Sequence, residues 1–195
     1  MQYADYTKIL NTGNLISFWT FNENAGNPRK SLGMENYPLI EGNGPVKRVK
    51  DGIFGQYSAL IEEGQWFYIP RAKCSRLNIY GKNAQVTIIA WVKRGFKSFD
   101  MCEAIAGIWN ETKRKRQYCL FLNLSIWDSS EQVCGHISGI GGPTEGYKYC
   151  MDASIGKTRI GYQQWHCVAI TYDGSRIKSY LDGILDKRPG MNPYS

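Results

Sequence analysis

The sequence predicts an all-β fold in which two antiparallel sheets pack face to face as a β-sandwich. Three observations predict it: short segments rich in aromatic and β-branched residues recur, turn-forming glycines separate them, and no long stretch has helical periodicity. Glycine accounts for 21 of the 195 residues, which suits many tight turns. A chain of this length suits one full hydrophobic core, so we expect a single domain over 1–195.

The clearest strand pair lies near the end of the chain, in the segment 165–186. Asp173-Gly174 suits a turn that needs positive φ, and it separates two extended hydrophobic segments. In the segment 177–181 apolar or small residues alternate with charged or aromatic residues, a period of two. This alternation predicts a strand with one buried face.

The other predicted strands follow one another with no linker and no internal repeat. The segment 85–92, QVTIIAWV, is apolar almost throughout and predicts a central strand. The segments 58–61 and 66–69 flank Glu63-Gly64 and predict a hairpin. The full set of predicted strands is 15–21, 37–40, 58–61, 66–69, 85–92, 104–109, 118–124, 133–138, 161–172 and 177–181.

The net charge of +7 at pH 7 has its densest cluster at Lys113–Arg116. Such a run is typical of a solvated loop, and no aromatic platform or known module accompanies it, so we expect no nucleic-acid partner. No apolar stretch approaches the roughly 20 residues that span a bilayer, so we expect no membrane insertion.

The start of the chain lacks a charged region followed by an apolar stretch, so it contains no recognisable signal peptide. Two explanations stay open: a cytosolic protein, or a chain from which a leader was removed. We favour the second, which predicts a secreted or cell-surface location.

The six cysteines include no C-x-x-C pair, so zinc is not expected. Cys119, Cys134 and Cys167 fall within predicted strands, where a free cysteine packs as a small hydrophobic residue. A disulfide between Cys119 and Cys134 stays open for a secreted chain, although free thiols are the favoured expectation.

Four segments, in order, resemble the signature of laminin-G-like domains in the concanavalin A-like superfamily. They are LISFWTFNENAG from Leu15, VKDGIFGQYSALIEEGQWFYIP from Val49, QVTIIAWVKRG from Gln85, and WHCVAITYDG followed by YLDG from Trp165. The resemblance covers 15–186 and implies a concanavalin A-like jelly roll.

Members of that family usually continue into a strand of the form G-x-I-D-D-V-x-I-Y, which returns beside the first strand. The segment 187–195 contains no such pattern. The resemblance therefore implies a fragment of a longer protein, or an open sheet edge that another protein chain covers, because an unpaired edge exposes backbone donors and acceptors. A shortened natural domain is the alternative.

Catalytic patterns of the superfamily are not recognisable here. Its β-glucan hydrolases carry E-x-D-x-x-E on one strand, since retaining cleavage needs two carboxyl groups about 5 Å apart. Its polysaccharide lyases carry Q-x-H. Glu62 and Glu63 are adjacent and Glu103 stands alone. His166 falls in the W-H signature and is expected to be structural, and His136 has no identifiable acid partner.

Sugar binding needs aromatic rings presented flat on a surface, with hydrogen-bonding groups around them. Trp109 and Trp127 lie at the ends of predicted strands beside polar loops, where binding sites are often found. The candidate carbohydrate-binding residues are Trp109, Trp127, Trp66, Tyr147 and Tyr149. Partial burial as packing residues is the alternative for each of them.

Calcium is the cofactor that the resemblance implies, since laminin-G-like and pentraxin-like domains often bind one. The ion takes about six to eight oxygen ligands. The candidate ligands are Asn22, Glu23 and Asp173; the alternative for Asp173 is an ordinary turn residue.

The sequence therefore predicts a non-catalytic carbohydrate-binding module of a surface or secreted protein, with a polysaccharide or glycan as its partner. Two alternatives stay open. One is a glycan-active hydrolase or lyase whose acids come from loops, and the other is a protein–protein adhesion module.

Overall fold

The computed structural model describes residues 3–97, 100–147, 150 and 152–188. It divides into two compact units, Met1–Asn78 and Ile79–Ser195, and the single-domain expectation stays a prediction. Most regular structure is antiparallel β-sheet, so the all-β prediction is confirmed. The helices of the described residues are α1 (Thr7–Leu10) and two 3₁₀ turns (Arg71–Lys73 and Ser75–Leu77). None of them is long and apolar enough to cross a membrane.

The first unit contains two small antiparallel sheets of two strands each. β1 (Ile40–Gly42) pairs with β4 (Trp66–Tyr68), and β2 (Lys47–Val49) pairs with β3 (Ser58–Leu60). Because β3 and β4 pair with different partners, the predicted hairpin between 58–61 and 66–69 is wrong.

The side chain of Gln65 supports this pairing. Its Nε2 donates to the carbonyl oxygens of Asn43 at 3.4 Å and Pro45 at 3.2 Å. These bonds join the start of β4 to the loop that follows β1.

The predicted strand at 15–21 is reduced to one bridge, in which Phe18 and Leu32 exchange backbone hydrogen bonds. Two further backbone hydrogen bonds join these segments, from the Met34 N–H to the Leu15 carbonyl oxygen and from the Glu35 N–H to the Ile16 carbonyl oxygen.

The second unit contains two four-stranded antiparallel sheets, with the strand orders 12-11-10-5 and 6-7-8-9. The strands are β5 (Val86–Lys93), β6 (Glu103–Asn110), β7 (Lys115–Leu122), β8 (Val133–Ile137), β9 (Ala153–Ile155), β10 (Trp165–Tyr172), β11 (Ile177–Leu181) and β12 (Ile184–Leu185). The predicted strand 177–181 is confirmed, with Ile177 and Ser179 on its buried face.

Both sheets of this unit contribute side chains to one hydrophobic core. Leu120 of β7 and Val133 of β8 pack there with Val168 and Ile170 of β10, and all four are fully buried. Alternate positions of β5, β7 and β10 point into this core, as the period of two requires.

Gly135 of β8 tests how tightly this core is packed. A Cβ at this position would lie 2.7 Å from Cγ2 of Ile170 and 2.8 Å from Cδ1 of Ile177. Because a close-packed core resists added volume, Gly135→Ala should lower the free energy of unfolding by about 1–3 kcal/mol, measured by urea denaturation. The matched control is Gly139→Ala, where a Cβ would meet nothing within 4 Å. Equal stability of the two variants would contradict close packing between the sheets.

Candidate functional site

An exposed aromatic surface lies on one side of the β1–β4 pair in the first unit. Trp66 and Tyr68 share a face of β4, because alternate residues of a strand point the same way. They are 52% and 42% exposed. Ile40, directly opposite Tyr68 on β1, is exposed as well. We name Ile40, Trp66 and Tyr68 the aromatic strip.

Gly42 gives the indole ring its position. It lies opposite Trp66 in the strand register, and it is buried. A Cβ on Gly42 would be 2.2 Å from Cε2 and 2.3 Å from Nε1 of Trp66. The ring therefore occupies the space that a side chain at 42 would need, and it covers the β1 backbone while half of its surface stays in solvent.

Hydrogen bonds between two turns fix the end of the β1–β4 pair where Trp66 lies. Asn43 Nδ2 donates to the Gly64 carbonyl oxygen at 3.0 Å. The Gln65 amide N–H donates to the Glu62 carbonyl oxygen at 3.0 Å, and the Glu62 N–H donates to Gln65 Oε1 at 3.1 Å. These bonds order both turns at this end of the aromatic strip.

The other face of β1 carries a buried ion pair. Glu41 Oε1 accepts from Arg29 Nη2 at 2.6 Å, and Arg29 is fully buried with its guanidinium 4.9 Å from the centre of the Phe67 ring. Burial alone would raise the pKa of Glu41. The N–H groups of Val46 and Gly26 and the Arg29 guanidinium lower it by more, so the pKa lies below its ordinary value. Glu41 is therefore ionised at neutral pH.

Trp109 and Trp127 lie together in the second unit, on the face of β7 and β8 that points away from the shared core. We name this packing the outer cluster, and it consists of Cys119, Phe121, Cys134 and Ile155 with Trp109, Leu124, Ile126 and Trp127 packed against them. Trp109 and Trp127 are half-buried in it. Their role in sugar binding stays a prediction.

The other two predicted aromatic contacts are Tyr147 and Tyr149. Tyr147 is exposed in a turn, where its N–H donates to the Thr144 carbonyl oxygen. Tyr149 lies outside the described residues. Among the predicted aromatic residues that the structure describes, Trp66 is the one that lies in a β-strand with more than half of its surface exposed. Sequence reasoning missed Tyr68, although the alternation W-F-Y in β4 places both rings on one face.

The predicted calcium ligands are engaged in backbone hydrogen bonds. Asn22 Oδ1 accepts from the Tyr57 N–H at 3.1 Å, and Asp173 Oδ1 accepts from the N–H groups of Ser175 and Arg176 at 2.9 and 2.7 Å. Glu23 keeps one carboxylate oxygen without a hydrogen-bond partner in the described chain. The described residues contain no group of three or more His, Cys, Asp or Glu placed to hold a metal ion. Calcium binding stays a prediction.

Two acids of the second unit, Glu103 and Glu131, contact the same buried arginine, Arg94. Arg94 donates to Glu103 Oε1 at 2.7 Å and Oε2 at 3.0 Å, and its Nη1 also forms an ion pair with Glu131. Burial would raise the pKa of Glu103, but Arg94 and Lys97 together hold it below its ordinary value. A general acid in glycoside cleavage needs a raised pKa, so Glu103 is not suited to donate a proton.

The two histidines have different surroundings. His166 Nδ1 lies 2.9 Å from Asp182 Oδ2, and Asp182 Oδ1 accepts from the Cys167 N–H, so His166 links β10 to the β11–β12 turn. His136 in β8 lies opposite Cys119 and is 4% exposed. Neither of its ring nitrogens has a hydrogen-bond partner among the residues described.

The register of these strands also bears on the cysteines. Cys119 lies opposite His136, and Cys134 lies opposite Phe121, so the two thiols are diagonal neighbours rather than a facing pair. All six cysteines are free thiols.

In comparisons with known proteins, no family model, no curated protein and no solved structure matches this chain. The laminin-G-like resemblance therefore stays a prediction that depends on the four sequence segments. The function has to be argued from the geometry of the chain itself.

The burial of His136 predicts acid sensitivity. Burial lowers its pKa from 6.5 to about 4, with Glu111 opposing and Arg116 adding to the shift. As the pH falls, the unfolded chain binds the proton at a higher pH than the folded chain does. The free energy of unfolding is therefore highest above pH 6.5 and decreases as the pH falls towards 4. The full loss is about 3 kcal/mol. Urea denaturation at pH 7 and pH 4.5 measures it.

Substitution of His136 separates this effect from the titration of carboxylates. His136→Gln should reduce the difference in unfolding free energy between the two pH values by about 2 kcal/mol. An equal pH dependence in wild type and His136→Gln would show that His136 is not held neutral.

Proposed function

We propose that this protein is a non-catalytic carbohydrate-binding module whose binding surface is the aromatic strip. The observation that carries the proposal is the Trp66 indole, which covers Gly42 on one side and leaves half of its surface in solvent. A large, rigid ring held on a strand offers a flat apolar face at little cost in conformational entropy. The apolar face of a sugar ring can stack on such a surface.

Tyr68 extends the surface along the strand. Two residues of a strand span about 6.6 Å, so the two rings can contact successive parts of a chain-like ligand. Tyr68 is an exposed amphipathic ring and offers a hydroxyl group for hydrogen bonds to sugar hydroxyls. This arrangement supports an extended glycan rather than a single enclosed sugar.

We also infer that the fold is a concanavalin A-like jelly-roll sandwich. Its support is the pair of four-stranded antiparallel sheets with one core in the second unit, together with the position of β5 beside β10, far from it in sequence. Such modules suit a secreted or surface protein, in which they hold a partner domain near a polysaccharide.

A panel of immobilised polysaccharides tests the proposal. Wild type should bind at least one of them, and Trp66→Ala and Tyr68→Ala should each weaken that binding about tenfold, because each removes one stacking contact worth about 1–1.5 kcal/mol. Tyr80→Ala is the matched control, since Tyr80 is exposed but lies outside the aromatic strip. Running the panel with calcium and with a chelator tests the cofactor prediction in the same experiment.

The panel can also reject the proposal. Binding that survives in Trp66→Ala but is lost in Trp109→Phe would move the site to the outer cluster. No binding to any polysaccharide, with tight capture of a surface protein, would favour the adhesion alternative.

Gly42→Ala is a second test that keeps both aromatic residues. The added Cβ would collide with the indole, so the ring must leave its place over β1. Affinity for the glycan should fall at least about fivefold, while Gly13→Ala, where a Cβ would meet nothing within 4 Å, reports the cost of a glycine substitution away from the aromatic strip. Unchanged affinity in Gly42→Ala would show that the observed ring position is not the one that binds.

A further inference from the structure

A polar cleft of about 530 Å³ lies in the first unit, and it is distinct in composition from the aromatic strip. It is lined by Glu23, Asn24, Asn27, Pro28, Lys30, Asn36, Pro38 and Arg48. Its volume falls within the range of small-molecule sites, about 300–1,000 Å³. Six of the eight side chains are polar or charged, which indicates a strongly hydrated ligand.

The cleft has an excess of positive charge. Lys30 and Arg48 carry two positive charges and Glu23 carries one negative charge, which leaves a net charge of one. Within the described ranges no carboxylate forms an ion pair with Lys30 or Arg48, whereas Arg29, Lys47 and Arg76 of the same unit each have one. A ligand with a single negative charge would supply the missing counter-ion.

Arg48 is held in place without being neutralised. Its guanidinium stacks 3.8 Å from the centre of the Tyr57 ring, and its Nη1 donates to the Asn22 carbonyl oxygen at 3.3 Å. A guanidinium fixed in this way keeps further N–H groups for a carboxylate, which it can bind through two parallel hydrogen bonds.

The remaining polar groups suit hydroxyls. The side chains of Asn24, Asn27 and Asn36 make no hydrogen bond to other described residues, so each offers an amide donor and an acceptor. Glu23 uses Oε1 to accept from the Lys30 N–H at 2.7 Å, and its Oε2 is buried with no described donor. A ligand hydroxyl would satisfy that oxygen, which otherwise pays a desolvation cost.

We propose that this cleft binds the carboxylate and hydroxyls of a uronic acid unit, with Lys30 and Arg48 on the carboxylate and Glu23 and the asparagines on the hydroxyls. The inference rests on the proposed carbohydrate-binding function and deepens it, because it names acidic polysaccharides as the ligand class. The cleft would then bind the charged group of the glycan, and the aromatic strip would bind the apolar faces of its sugar rings.

Titration of the full chain with glucuronate, monitored by chemical shifts, tests the inference. The expected Kd is on the order of 1 mM for a ligand of this size. Glucose, which lacks the carboxylate, and acetate, which lacks the hydroxyls, should each bind at least about tenfold more weakly. Raising the salt concentration to 0.5 M should weaken glucuronate binding, because exposed charges are screened.

Variants locate the site. Lys30→Gln and Arg48→Gln should each weaken glucuronate binding about three- to tenfold, while Lys82→Gln, which removes an exposed charge in the second unit, should not. Trp66→Ala should leave the glucuronate Kd unchanged, even if it abolishes polysaccharide binding. If Trp66→Ala binds both glucuronate and the polysaccharide as wild type does, the aromatic strip is not the polysaccharide-binding surface, whereas the proposal for the cleft still holds.

Four results would overturn the inference. They are no binding up to about 10 mM, equal binding of glucose and glucuronate, unchanged binding in both Lys30→Gln and Arg48→Gln, or loss of glucuronate binding in Trp66→Ala. The last of these would place the uronate on the aromatic strip.

Discussion

The buried ion pair between Arg29 and Glu41 is the interaction on which the first unit depends. Arg29 Nη1 holds the carbonyl oxygens of Asn24 and Asn27, and Glu41 accepts from two loop N–H groups as well as from the guanidinium. Breaking a buried pair by removing one partner costs about 3–5 kcal/mol, because the other charge loses its compensation. The pair therefore fixes the loop that lines the polar cleft and the strand that lies under Trp66.

The contrast between the two tryptophan environments follows from what lies beneath each ring. Trp66 covers a glycine at the surface of a two-stranded sheet, and so half of it stays in solvent. Trp109 packs edge-on against Phe121 and His136 at 5.6 and 5.7 Å, and its Nε1 donates to Glu111. The Trp109 ring, which packs edge-on and has a hydrogen-bonded N–H, therefore fills space in the outer cluster. The Trp66 ring lies over backbone and exposes one flat face to solvent.

The sequence predicted the second unit better than the first. The apolar segment 85–92 and the alternating segment 177–181 are observed as β5 and β11, because burial of their apolar side chains fixes their register. The short β2, β9 and β12 were missed, whereas β3 and β4, which are equally short, were predicted from the apolar and aromatic segments 58–61 and 66–69. In the first unit the hairpin was wrong because β3 and β4 each pair with a strand that comes earlier in the chain, and a turn between two strands does not fix their partners. The polar cleft could not be predicted from the sequence, although one of its residues, Glu23, was predicted as a calcium ligand.

The most direct measurement is a ¹H–¹⁵N spectrum of the six tryptophan indole N–H groups, recorded with and without an oligosaccharide of the bound polysaccharide. Because chemical shifts report contact at each ring, the Trp66 resonance should move in a saturable way while those of Trp109 and Trp127 stay in place. Shifts confined to Trp109 or Trp127 would contradict glycan binding at the aromatic strip, because they would show that the glycan binds the outer cluster instead.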